Sequence, residues 1–118
     1  MSKAIQENWV ILNYDFGLKG DYESLYSFLD NLNATECGKA CAAFEYDFIG
    51  GSDLTHAQKI EQIKKKVEEK VTIHKGDRIY VIVHDKLGTA IGGFIFGHRQ
   101  RPDWEGYGSK EDKDELPF

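Results

Sequence analysis

Two strand-forming runs, each closed by an aspartate, constrain this chain more than anything else in it. They read "NWVILNYDF" at 8–16 and "DRIYVIVHD" at 77–85. Val, Ile, Leu, Trp and Tyr suit the pleated, buried surface of a central strand. Any fold for the chain must therefore bring these runs into a sheet and say where the acids at their ends point.

Helix signals fill the space between them. Asp21 is a plausible N-cap, and Leu25, Phe28, Leu29 and Leu32 repeat at three and four residues, one apolar stripe. Thr55 and Gln58 form a capping-box pattern ahead of Ile60, Ile63, Val67 and Val71. Lys64, Lys65, Lys66 and Lys70 stand among Glu61, Glu68 and Glu69 and read as a solvated, ion-paired face.

The stretch "CGKACAAFEYDFIG" (37–50) alternates Phe44, Tyr46 and Phe48 with Glu45 and Asp47, which predicts one strand ended by the glycines at 50 and 51. "TAIGGFIFGHR" (89–99) reads as the hairpin partner of the 77–85 strand, with Gly92 and Gly93 marking a bulge or a close backbone approach.

The predicted order is β-α-β-α-β-β. It gives an α+β, ferredoxin-like sandwich: one mostly antiparallel sheet with two helices on one face. Residues 1–99 form that single domain. Residues 100–118 read as a charged, Gly-rich C-terminal tail, irregular and disordered near its end, with the character of a dimer arm.

At 118 residues the chain fits one core. No apolar stretch approaches the roughly 20 residues of a membrane span, and "MSKAIQEN" has no secretory character. A cytoplasmic protein without a membrane partner is expected. The net charge of −5 argues against bulk affinity for nucleic acid but leaves room for a local basic strip. Cys37 and Cys41, placed on one strand, would point to the same side, too far apart for easy bridging, and read as small, reduced, buried thiols.

Two places carry candidate chemistry. Asp15 ends a buried strand and is followed by Gly17 and Gly20, so it stands where there is little steric cover. It reads either as a turn residue or as a ligand for a hard cation, which takes oxygen donors from more than one carboxylate. A two-fold homodimer could supply the second carboxylate from the symmetry mate, and two carboxylates around a cation could activate water for phosphodiester cleavage. Glu45 reads as a surface charge or a second ligand. The other place is "GHRQRPDWEGYG" (97–108), where Arg99 and Arg101 mix with Trp104 and Tyr107. Cations beside stacking platforms suit single-stranded nucleic acid, and the same residues suit an aromatic-anchored dimer arm.

"WVILNYDFG", "KACAAFEYDF" and "DRIYVIV" resemble, in order and rough spacing, the small CRISPR-associated endonuclease subunit, a family related to the virulence-associated protein D ribonucleases. The resemblance spans about residues 8–85. It implies a ferredoxin-like homodimer in which Asp15, as the Asp of Tyr-Asp at the end of strand one, binds Mg²⁺ or Mn²⁺ with its symmetry mate. It implies a metal-dependent endonuclease acting on RNA or DNA. The alternative expectation is a non-enzymatic interaction module, an acidic partner of another protein or an antitoxin-like subunit, in which Trp104 and Tyr107 dominate binding.

Overall fold

The alternation within "WVILNYD" is what the fold uses first. Val10 and Leu12 are fully buried while Ile11 and Asn13 face outward. The second run repeats the pattern, with Ile79, Val81 and Val83 at zero exposure. Pairing these two runs side by side therefore puts one continuous apolar surface on one face of a sheet.

The computed structural model describes residues 8–108. Its elements are β1 (Trp9–Asp15), α1 (Tyr22–Asn31), β2 (Thr35–Glu36), β3 (Cys41–Glu45), a 3₁₀ turn (Gly51–Asp53), α2 (His56–Lys70), β4 (Arg78–His84) and β5 (Ala90–Phe96). The five strands form one sheet in the order β2-β3-β1-β4-β5, and every neighbouring pair is antiparallel. The architecture is α+β. No helix among the described residues is long and apolar enough to cross a membrane.

Both helices start where the caps lie. The Asp21 carboxylate accepts from the Ser24 N–H at 3.2 Å, and Thr55 and Gln58 close a full capping box. The apolar stripes of the two helices, Leu25, Phe28 and Leu29 from α1 and Ile63 and Val67 from α2, share one core with Val10, Leu12, Phe44, Ile79, Val81 and Val83. Burying such side chains contributes roughly 1.5–3 kcal/mol each, which is the main force holding the helices on the sheet.

The strand predicted over 37–50 is corrected. The chain turns back at Gly38 (φ 121°) and Ala40 (φ 63°), so residues 35–45 form the β2–β3 hairpin, and β3 ends at Glu45. The element order is thus β-α-β-β-α-β-β rather than β-α-β-α-β-β. The Phe44, Tyr46 and Phe48 alternation marks an aromatic ladder instead of a strand: successive ring centroids lie 6.5 and 4.9 Å apart. Cys37 is exposed and Cys41 half-buried, not a buried pair along one strand. The tail expected over 100–118 is described as far as Gly108, and its acidic run "KEDKDE" lies outside the described residues.

Candidate functional site

The antiparallel register of β1 with β4 sets the last residue of one, Asp15, opposite the first residue of the other, Arg78. The opposed side chains join: Asp15 Oδ2 accepts from Arg78 Nη2 at 2.6 Å and from Nε at 3.1 Å. Asp15 therefore ends β1 as one half of a cross-strand ion pair. Its side chain is still 65% exposed, which leaves room for a ligand beside it.

The loops around this pair are pinned from below by Asp77, which is buried. Its carboxylate accepts from the Gly17 N–H at 3.1 Å and the His74 N–H at 2.8 Å, tying the turn after β1 to the turn before β4. A half-exposed His74 imidazole lies 3.6 Å away.

Beyond β5 the chain bends over Arg78 at Gly97, whose φ is 79°. A Cβ there would press on the Arg78 side chain and the Asp77 carbonyl, so only glycine permits this exit. The bend carries the predicted basic-aromatic segment across the end of the sheet. Asp15, Arg78, Phe94, Arg99, Arg101, Asp103 and Trp104 line one cleft of about 480 Å³.

Two places that the sequence kept apart, Asp15 and the 97–108 segment, are thus one site. Trp104 is 75% exposed and faces solvent beside it. Arg101 reaches Glu105 at 3.1 Å along the surface. Arg99 makes no hydrogen bond or ion pair among the described residues. Tyr107 is also exposed but does not line the cleft. Glu45 is not brought in: it pairs with Trp9, at the far end of β1, about 20 Å away at strand rise.

Sequence reasoning missed two members of the site. Arg78 lay within the quoted "DRIYVIV" run, and an antiparallel register assumed between the two runs would have placed it against Asp15. Phe94 carries the Arg78 guanidinium 5.9 Å from its ring centroid, which steadies the arginine from the other side. No local signal in "IGGFIF" marks that role.

Next to Asp15, Tyr14 belongs to an aromatic cluster with Phe16, Tyr22 and Tyr26. Burial, reinforced by a hydrogen bond with Tyr26, pushes its phenol up to about 12. It stays neutral at working pH and serves as packing.

A small divalent cation such as Mg²⁺ demands about six oxygen donors. Asp15 offers one oxygen clear of Arg78, and the described residues hold no group of three or more His, Cys, Asp or Glu placed for a metal ion. Water or a second copy of the chain would have to supply the remaining donors. A separate groove of about 500 Å³ runs between α1 and α2, with Phe28 and Tyr46 below and Lys66 and Lys70 on its rim. Lys66 there pairs with Glu69 at 3.5 Å, as a solvated, ion-paired face requires.

Comparison with family models, curated proteins and solved structures found no match.

Proposed function

We propose that the cleft at the end of β1 binds single-stranded nucleic acid. The observation that carries this reading is the convergence of Arg78, Arg99 and Arg101 with Trp104 and Phe94 in one cleft. Guanidinium forks match phosphate oxygens in pairs. An exposed indole offers a stacking face, and base stacking contributes about 1–3 kcal/mol per base regardless of sequence. Asp15 acts here as a positioning residue, since its two contacts fix the plane of the Arg78 guanidinium. With an overall charge of −5, attraction has to come from a local cluster of cations such as this one.

The scaffold itself we read as ferredoxin-like. The run β2-β3-β1-β4, with helices between β1 and β2 and between β3 and β4, supports a ferredoxin-like unit extended by β5 beside β4.

Fluorescence anisotropy with labelled single-stranded RNA and DNA tests the binding. Wild type should bind more weakly as salt rises from about 50 to 200 mM. The Arg99→Ala/Arg101→Ala variant should bind more weakly and lower the salt slope by about 0.7 per arginine lost. Trp104→Ala should cost about 1–3 kcal/mol with the slope unchanged. Binding that ignores all three substitutions would sink the proposal and favour a protein-interaction module anchored by Trp104 and Tyr107.

The exposure of Asp15 favours a second reading, a metal-dependent endonuclease in which two copies of the chain bring their Asp15 side chains together at a homodimer seam. It predicts a dimer in sedimentation, and cleavage with Mg²⁺ or Mn²⁺ that Asp15→Ala abolishes while the dimer persists. Cleavage retained by that variant rules it out.

A further inference from the structure

The β2–β3 hairpin sets the two cysteines against each other. Thr35 pairs with Ala43 and Glu36 with Ala42, so the next step of the register brings Cys37 opposite Cys41. The backbone agrees: the Cys37 N–H donates to the Cys41 carbonyl at 3.0 Å. Ala42 and Phe44 point into the core, which puts Cys41 on the outer face of the sheet, and a residue directly opposite stands on the same face. The Cys41 N–H turns to the Gly38 carbonyl at 3.1 Å instead, and directly opposed residues of an antiparallel pair have Cα atoms about 4.5–5.5 Å apart, within the roughly 4.4–6.8 Å that a disulfide spans. Four residues along a single strand could not meet in this way. The left-handed turn at Gly38 and Ala40 is what closes the gap.

Access is graded between the two thiols. Cys37 is exposed and Cys41 half-buried. Burial, followed by the neighbouring Cys37 and Glu36, pushes the Cys41 thiol up, so an oxidant meets Cys37 first.

We propose that Cys37 and Cys41 are a reversible redox pair that closes a disulfide across the β2–β3 turn when a peroxide reaches this face. The Cys37 thiolate attacks one peroxide oxygen and the O–O bond breaks; hydroxide leaves and takes up the proton the Cys37 thiol released, giving water, with Cys37 as the sulfenic acid. The Cys41 sulfur then attacks the Cys37 sulfur, the S–O bond breaks, and the hydroxyl leaves as a second water carrying the Cys41 proton. One peroxide is reduced to two waters and two thiols are oxidised to one disulfide. A dithiol reductant reverses the step.

The clip also reaches the cleft end of β1. The Ala40 carbonyl, inside the clipped turn, accepts from the Tyr14 N–H at 3.0 Å, one residue before Asp15. The pair does not rest on the nucleic-acid reading and stands or falls separately from it.

The sequence supplies a clean test. Trypsin cuts after Lys39, between the two cysteines, and after Lys19 and Lys59 on either side. Full-length protein treated with a small excess of hydrogen peroxide should become two hydrogens lighter and lose both alkylatable thiols. On a non-reducing digest, peptides 20–39 and 40–59 should then travel as one joined species that dithiothreitol separates. Cys37→Ser should leave Cys41 alkylatable after the same treatment. Separate peptides without reductant would overturn the proposal. So would Cys37 driven to sulfinic acid beside a free Cys41, or joining only between chains.

Discussion

Asp77 shows how much one side chain can hold. It is buried, and its two oxygens satisfy the backbone N–H groups of Gly17 and His74 from different loops. Removing the carboxylate takes the acceptor from two backbone donors on exposed residues, at about 1–2 kcal/mol each. Asp77→Ala should therefore lower stability by roughly 2–4 kcal/mol. Asp77→Asn keeps one acceptor but turns an N–H₂ toward the other donor, so it should recover only part of that loss. Chemical denaturation of the three proteins reads this directly, and an alanine variant as stable as wild type would show that the loops do not depend on the pin. The acid was visible in the sequence as the head of the "DRIYVIVHD" run. Its partner at Gly17, 60 positions away, was not, because a hydrogen bond between two loops leaves no periodic trace.

At the level of elements, the sequence was most legible where a pattern repeats. The runs of β1 and β4, the stripes of α1 and α2 and both N-caps could be named from the sequence, but not which face of β1 or β4 turns inward, because Trp9 to Leu12 and Ile79 to Val83 are apolar throughout. The hairpin inside 37–45 could not. A left-handed Ala40 and a two-residue β2 carry no propensity signal, and the aromatic alternation beyond Phe44 imitates a strand. Gly92 lies between these cases. It was expected to mark a bulge or a close approach, and a Cβ there would run into the Tyr80 ring, which also meets Phe94 edge-on at 5.0 Å. The register shift itself falls beside Ile79 and Tyr80, across from Phe94 and Phe96. The Tyr80 ring covers the backbone where Gly92 has no side chain. Gly92→Ala should cost about 1–3 kcal/mol through overpacking. In a Tyr80→Ala background the same change should cost much less, because the colliding ring is gone. Equal costs in the two backgrounds, read from a double-mutant cycle, would place the constraint in the backbone instead.

For the whole molecule, stability against pH reports how distant segments are joined. Asp21 is held below the usual carboxylate range, first by the Thr72 N–H, 51 residues away, and then by Ser24. Asp85 is held down likewise, first by Thr89, in the turn between β4 and β5. A group whose folded pKa is depressed contributes stability above its unfolded value and loses it as pH falls through the folded one. The acid limb should therefore begin near pH 4 and continue below it. On the other side, Tyr14 is raised from 10.0 to about 12. Such a group contributes fully below its unfolded value and loses its contribution as pH climbs from 10 toward 12, where the unfolded chain ionises first. Tyr46, raised mainly by burial in the aromatic ladder, adds to the same limb. Thermal unfolding across this range should give a broad plateau between the two limbs. Tyr14→Phe keeps the rings of the cluster but has no proton to lose, so its alkaline limb should be shallower than wild type while its acid limb is unchanged. Asp21→Asn should show the reverse: a lower plateau, a shallower acid limb and the same alkaline one. If Tyr14→Phe left the alkaline limb untouched, the phenol would have to be as free in the fold as in the unfolded chain, and the cluster beside Asp15 would be looser than its edge-on packing implies.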